Sequence, residues 1–162
     1  MKLKELKVAV LGLTVLMMGS GISVFAEEKE PAGYHVYEKS ETSVSDTWYS
    51  VARGDHLLGA IVKLDAGSSA KYASCSGTTL AHRPCDRVYV RIYLDKSDNG
   101  VNGWGNVNYW TAITYDKSTA HVSMADYEIT RGKYYSVQGS HSVTEGEDIE
   151  MTTTSTDSLY FD

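Results

Sequence analysis

The chain has 162 residues, two cysteines and a formal net charge of −6 at pH 7. This length suits one domain with its own hydrophobic core. The acidic balance disfavours nucleic acid as a partner and argues against a cationic, membrane-attacking peptide, because both interactions require positive charge.

The first 26 residues have the pattern of a helical secretory signal peptide that is cleaved after Ala26. Three lysines precede an apolar segment from Val8 to Met18. This segment is shorter than the roughly 20 apolar residues that a membrane-spanning helix needs. The residue directly after the cleavage site is Glu27 rather than the cysteine of a lipoprotein, so we expect no lipid anchor. We expect a secreted, extracellular product without a membrane anchor. Removing residues 1–26, with three lysines and one glutamate, would leave 136 residues and change the net charge from −6 to −8.

The remaining composition predicts an all-β protein. Residues 27–162 contain all twelve tyrosines, many serines and threonines, and only two prolines, Pro31 and Pro84. Tyrosine and threonine favour strands, and no long 3.6-residue apolar period follows residue 26. We interpret residues 27–44 as a polar, mobile N-terminal arm that could include a short strand at Tyr34 to Tyr37. Residues 45–162 then form the folded domain, a β-sandwich.

Two cysteines, Cys75 and Cys85, lie ten residues apart in the expected exported part. An even number of cysteines in an oxidising compartment predicts a disulfide bond between them. The alternative is a metal site that uses Cys75, His82 and Cys85. This alternative is weaker because three ligands at irregular spacing, without a second pair, do not match a structural zinc site.

The clearest strand runs from Arg87 to Asp95. Val88, Val90, Ile92 and Leu94 alternate with Tyr89, Arg91, Tyr93 and Asp95, which is the period of a half-buried strand. Trp104 to Tyr115 is predicted to return beside it as a hairpin. The candidate binding face consists of aromatic and arginine side chains, the types enriched at binding hot spots: Tyr89, Arg91, Tyr93, Trp104 and Trp110. The alternative is that a loop or the N-terminal arm covers these rings.

The loop between these strands is a weak calcium candidate. Asp95, Ser97 and Asn99 occupy positions 1, 3 and 5 of an EF-hand-like series, with Gly100 at position 6. However, Asn106 stands where a bidentate glutamate is expected, and the flanking segments are strands. A hairpin turn requires the same Asp, Asn and Gly residues for its own backbone, so we favour the turn and predict no metal.

The series Ile129, Gly132, Tyr135, Val137 and Gly139 resembles the tyrosine corner of immunoglobulin-like sandwiches, in which a tyrosine hydroxyl binds backbone near a turn. Tyr135 matches that structural role. Together with short strands at regular spacing, this predicts an antiparallel immunoglobulin-like sandwich of about seven short strands.

The sequence contains no motif for catalysis or for a cofactor. No Gly-x-Ser-x-Gly or His-Glu-x-x-His motif is present, and the five histidines are scattered. Four acidic residues cluster near one turn, and we interpret them as solvated surface charge: Glu145, Glu147, Asp148 and Glu150. We therefore predict a protein that is not an enzyme.

The stretch from Cys75 to Val143 combines Val88-x-Val90-x-Ile92-Tyr93-Leu94, Trp104-x-x-Val107-x-x-Trp110 and Gly132-x-Tyr134-Tyr135-x-Val137-x-Gly139-x-His141. It resembles a family of small secreted Firmicutes proteins that carry a domain of unknown function. The resemblance implies secretion and a sandwich fold, and it transfers no functional residue.

The sequence thus favours a secreted, non-enzymatic β-sandwich that binds an extracellular glycan or surface protein. The second hypothesis is a toxin-like or inhibitor-like factor that acts on neighbouring cells, and the third is a hydrolase. No cofactor is expected.

Overall fold

A computed structural model describes residues 28–51 and 56–162. Eleven strands lie in these ranges: β1 (Glu28–Lys29), β2 (Gly33–Lys39), β3 (Ser43–Ser50), β4 (Leu57–Ala66), β5 (Tyr72–Cys85), β6 (Arg87–Ser97), β7 (Gly105–Thr114), β8 (Lys117–Glu128), β9 (Lys133–Glu145), β10 (Asp148–Ser155) and β11 (Leu159–Phe161). The predicted signal peptide lies outside the described residues. Within them there is no helix with the length and apolar character needed to cross a membrane.

The strands form two sheets, which confirms the predicted all-β class. The first sheet has the order β1-β10-β9-β6-β7, with β11 also paired to β9. The second has the order β2-β3-β4-β5-β8. All pairs are antiparallel except β1 with β10. The described residues form eleven strands, more than the roughly seven that were expected. The immunoglobulin-like topology stays a prediction.

The N-terminal segment is more ordered than its polar composition indicates. The short strand expected at Tyr34 to Tyr37 is present within β2, which pairs with β3 along its whole length. β1 adds to the opposite sheet beside β10. Every residue of β1 and β2 is exposed, so the backbone ladder, rather than apolar burial, holds these edge strands in place. The interpretation of residues 27–44 as a mobile arm is therefore corrected for residues 28–29, 33–39 and 43–44, since β3 begins at Ser43 and Val44 is fully buried in the core.

The hydrophobic core lies between the sheets, where alternate strand residues meet. On β6 the four apolar side chains Val88, Val90, Ile92 and Leu94 are fully buried, which confirms the predicted alternation. They pack with buried residues of the other strands, including Val44, Trp48, Val62, Leu64, Ala120, Tyr135, Val137 and Val143.

Tyr135 holds the turn that precedes β9. Its ring is buried and meets Phe161 edge to face, with the centroids 5.4 Å apart. Its hydroxyl accepts a hydrogen bond from the Thr130 N–H at 2.9 Å and donates one to the Thr130 carbonyl at 3.1 Å. Both backbone groups of Thr130 are thereby satisfied by one side chain five residues later, which is the contact that defines a tyrosine corner.

Buried polar side chains also join the two sheets. Asp46 on β3 accepts a hydrogen bond from the Ser155 N–H on β10 at 2.7 Å. Glu150 on β10 accepts hydrogen bonds from the backbone N–H groups of His56 and Leu57, at 2.8 and 2.6 Å. Glu150 was expected to be solvated surface charge, and this is wrong because its carboxylate is buried as the acceptor for the start of β4.

The predicted disulfide bond is also wrong. Cys75 and Cys85 are both buried free thiols on β5. Ten residues of extended strand separate their Cα atoms by about 33 Å, since each residue advances about 3.3 Å. A disulfide needs Cα atoms less than about 7 Å apart. The same extension separates the three residues of the alternative metal site, because His82 lies on β5 as well.

Candidate functional site

The outer face of the first sheet carries a row of arginine and tyrosine side chains. Along β6, Arg87, Tyr89, Arg91 and Tyr93 alternate with the buried apolar residues and are half-exposed. On the neighbouring β7, Tyr109 pairs directly with Tyr93 and is 55% exposed. We call these five residues the arginine–tyrosine face. The N-terminal strands do not cover it, because β1 lies at the far edge of this sheet and β2 belongs to the other sheet.

Arg91 lies at the centre of this face and is held by three kinds of contact. Its guanidinium carbon lies 5.1 Å from the ring centroid of Tyr109 and 5.8 Å from that of Tyr89, within cation–π range. Its Nε donates a hydrogen bond to Thr111 Oγ1 at 2.9 Å. A hydrogen bond to the Tyr93 side chain, with smaller contributions from nearby tyrosines, raises the pKa of Arg91 further above its ordinary value. The side chain is therefore both charged and oriented before any ligand arrives.

Arg87 extends the row toward the start of β6. Its guanidinium carbon lies 5.0 Å from the Tyr89 ring centroid, so Tyr89 has an arginine on each side. At the other end, the rings of Tyr93 and Tyr109 are tilted by 44° with their centroids 6.1 Å apart. The row is a continuous series of planar groups along one strand and its neighbour.

The face has an unusual charge distribution. Four adjacent strand segments contain no aspartate or glutamate, although the chain has 21 such residues: 87–93 on β6, 109–113 on β7, 138–142 on β9 and 151–155 on β10. Neither Arg87 nor Arg91 forms an ion pair with any described residue. By contrast, four basic side chains elsewhere pair with carboxylates: Lys39, Lys63, Arg83 and Lys133.

Trp104 lies beside this face, at the end nearest Tyr93. It is 37% exposed and lines a depression of about 230 Å³ whose other walls are polar. Gln138 on β9, Ser155 on β10 and Asp157 contribute to these walls. Gln138 pairs directly with Tyr93, so the depression continues the arginine–tyrosine face.

Trp110 does not belong to the exposed face. It pairs directly with the buried Ile92, and directly paired residues point to the same side of a sheet. Its ring meets the Tyr127 ring on β8 edge to face, with centroids 5.2 Å apart. Trp110 therefore helps to close the edge between the two sheets. Tyr109 takes the exposed position that was predicted for Trp110.

Tyr109 and Arg87 are the residues that the sequence prediction missed. Tyr109 and Trp110 are consecutive on a strand, so they must face opposite sides. The pairing register decides which one is exposed, and that register shifts between Leu94 and Asp95. The loop length alone could not reveal this irregularity. Arg87 lies on the side of β6 that the alternation predicts to face outward, so the sequence pattern could have placed it in the candidate binding face.

The calcium-candidate oxygens serve the turn that follows β6. Asn99 Oδ1 accepts hydrogen bonds from the N–H groups of Val101 and Asn102, at 2.9 and 3.0 Å. Ser97 Oγ accepts one from the Gly100 N–H at 3.1 Å, and Asp95 Oδ1 accepts one from Asn106 Nδ2 at 3.0 Å. Gly100 has a φ of 71°, a conformation that favours glycine. These contacts account for the Asp, Asn and Gly composition of the loop.

In residues 28–51 and 56–162, no group of three or more His, Cys, Asp or Glu side chains converges in a way that could hold a metal ion. Of the other acidic residues near the β9–β10 turn, Glu145 forms an ion pair with Arg83, with Oε1 of the glutamate 3.4 Å from Nη2 of the arginine. The second carboxylate oxygen of Glu145 accepts a hydrogen bond from the Asp86 N–H. Nε2 of His56 lies 4.0 Å from Oδ2 of Asp148. These contacts connect the β5–β6 and β9–β10 turns at one end of the molecule.

Comparison with known proteins places the chain in a family. Neither the curated proteins nor the solved structures include a significant match. The model of DUF6147, described as a family of unknown function, matches residues 23–159, which includes every strand of the arginine–tyrosine face. The chain therefore belongs to the DUF6147 family.

Proposed function

We propose that this protein is a secreted, non-enzymatic β-sandwich that binds an extracellular glycan through the arginine–tyrosine face. The observation that carries the proposal is the open row itself. Tyrosine rings and a cation–π-bound guanidinium lie side by side on the outer surface of a rigid sheet.

The chemistry of this surface suits sugars. A tyrosine ring offers an apolar plane for the C–H groups of a sugar and a hydroxyl for its polar groups. The strands beside the row supply small polar side chains, including Gln138, Ser140 and Thr153, as further hydrogen-bonding groups. The depression beside Trp104 adds a second aromatic wall next to polar ones. A glycan lying across the face would meet both kinds of contact.

Binding without catalysis is favoured by the charge of the face. Glycoside hydrolysis generally needs two carboxyl groups on either side of the scissile bond. The four strand segments of the face contain no carboxyl group in their 87–93, 109–113, 138–142 and 151–155 ranges. Secretion is supported by the signal-peptide pattern of residues 1–26, which would expose the face to extracellular glycans.

A retention assay tests the proposal. The purified protein is passed over a panel of immobilised polysaccharides, together with the variants Tyr93→Ala and Tyr109→Ala. Tyr37→Ala is the matched control, because Tyr37 is 64% exposed on β2 of the other sheet. We expect retention of the wild type and of Tyr37→Ala on at least one polysaccharide, and loss of retention in the other two variants. Equal retention of all four proteins would contradict binding through this face.

A further inference from the structure

We infer that the glycan is anionic, and that carboxylate, sulfate or phosphate groups along it bind Arg87 and Arg91. This inference rests on the proposed function and names the class of its ligand. A neutral polysaccharide would use the rings and the small polar side chains of the face, but it would leave two guanidinium groups without a counter-charge.

The first support is the absence of internal partners for these two arginines. Neither forms an ion pair within the described part of the chain, and the surrounding strand segments lack acidic residues. The whole chain nevertheless carries a net charge of −6. The four strand segments therefore carry two positive charges and no negative one, while Asp157 and Glu30 lie at the margins of the face. The local potential at Arg87 and Arg91 favours an anion.

The second support is that the Arg91 guanidinium is already oriented and still has unused hydrogen-bond donors. A guanidinium has five N–H donors in a fixed fork, which fits the two oxygens of a carboxylate, sulfate or phosphate group. The contacts to Thr111 and Tyr93 use at most two of these donors. Because the rings of Tyr89 and Tyr109 already orient the group, binding an anion would cost little side-chain entropy.

The third support is the spacing of the two charges. Arg87 and Arg91 are four residues apart on β6, so their Cα atoms are separated by about 13 Å at about 3.3 Å per residue. The Tyr89 ring lies between them. Both guanidinium groups lie against this ring, so a ligand that covers the ring also meets both charges. An oligosaccharide that carries repeated charges could contact both while its sugar rings pack on Tyr89.

The experiment compares polysaccharides that differ only in charge. Pairs with the same backbone, such as dextran and dextran sulfate or methyl-esterified and de-esterified polygalacturonate, are immobilised. Poly-L-glutamate serves as a polyanion without sugar. The proteins are the wild type, the double variant Arg87→Gln/Arg91→Gln and the control Lys71→Gln. Lys71 is a fitting control because its Nζ lies 4.9 Å from the Tyr72 ring centroid, away from the face.

We expect wild type and Lys71→Gln to be retained on at least one charged polymer and not on its uncharged counterpart. The double variant should bind about tenfold or more weakly, as expected for the loss of charge-assisted hydrogen bonds. Retention should also fall in about 1 M NaCl, where the Debye length is about 3 Å.

The other outcomes separate the two proposals. Equal retention on both members of each pair, unchanged in the double variant, would overturn the anionic ligand and leave glycan binding in place. Equal retention on poly-L-glutamate and on the charged polysaccharides would overturn the sugar requirement, because it would indicate an acidic peptide or charge alone. No retention on any polysaccharide would overturn the proposed function and the inference with it.

Discussion

His141 on β9 and Thr79 on β5 connect the two sheets across the core, with Nδ1 of the histidine 2.8 Å from Oγ1 of the threonine. The Thr79 hydroxyl donates its hydrogen to the Tyr89 carbonyl at 2.7 Å, so its oxygen must accept from the His141 Nδ1–H. His141 Nε2 then accepts from Thr154 Oγ1, also at 2.8 Å. The histidine is thus fully buried and neutral, with both ring nitrogens satisfied.

This network predicts that the protein loses stability in acid. Burial lowers the pKa of His141 from 6.5 to about 3. Between these values the unfolded state binds a proton that the folded state does not, so the free energy of unfolding should decrease as the pH falls. The contribution is about 1.4 kcal/mol per pH unit below pH 6.5, and it levels off below about pH 3.

Urea denaturation at a series of pH values measures this effect. His141→Gln keeps a donor and an acceptor but cannot titrate, so the difference between wild type and variant should shrink as the pH falls from 6.5. His121→Gln is the control, because His121 also contacts a threonine but is exposed. A parallel pH dependence in wild type and His141→Gln would show that His141 is not the group responsible.

The Tyr135 hydroxyl should contribute measurably to stability. Tyr135→Phe keeps the ring that packs on Phe161 but leaves both backbone groups of Thr130 without their partner. The expected loss is about 1–3 kcal/mol in the free energy of unfolding. Tyr134→Phe, on the adjacent and half-exposed residue, should change it by less than about 0.5 kcal/mol. Equal effects in urea titrations would rule out a specific role for the corner.

The two thiols should be unreactive in the folded protein. Burial raises the pKa of Cys75 to about 12, and burial together with Glu145 raises that of Cys85. Because the thiolate is the reactive form, iodoacetamide should modify neither cysteine until denaturant is added, when both should react. Reductant should leave the melting temperature unchanged. A mass two units below that of the dithiol form, or a lower melting temperature in reductant, would contradict this account.

The leader makes a separate prediction. If the protein is exported with cleavage after Ala26, the form recovered from the culture medium begins at Glu27. Intact mass spectrometry and N-terminal sequencing would establish this start. Replacing Ala26 with a bulky residue should block cleavage and leave the uncleaved chain with the cells. Recovery of only the full-length chain from the cytoplasm would contradict secretion.

The parts of the fold that could be predicted were those with a strong local pattern. The alternation from Val88 to Leu94 predicted both a strand and its buried side, because burial of one sheet face requires a period of two. Tyr135 was identifiable because the corner depends on a turn and a tyrosine close together in the chain. These features need no knowledge of distant partners.

The predictions that were wrong concern features that depend on pairing between residues distant in the sequence. The exposure of Tyr109 rather than Trp110 is set by an irregular register with β6. Glu150 looked like surface charge because its partners, the N–H groups of His56 and Leu57, lie more than ninety residues away. The disulfide prediction used compartment and cysteine number, and it did not consider that one continuous strand, β5, could hold both cysteines apart.

The most direct test of the central claim is a nuclear magnetic resonance titration of the labelled protein with an oligosaccharide from whichever polysaccharide retains it. Binding through the arginine–tyrosine face predicts that the amide shifts cluster in residues 87–93 and 109–113, and that Tyr109→Ala abolishes them. Shifts that instead cluster on β2–β5 of the other sheet would contradict the account.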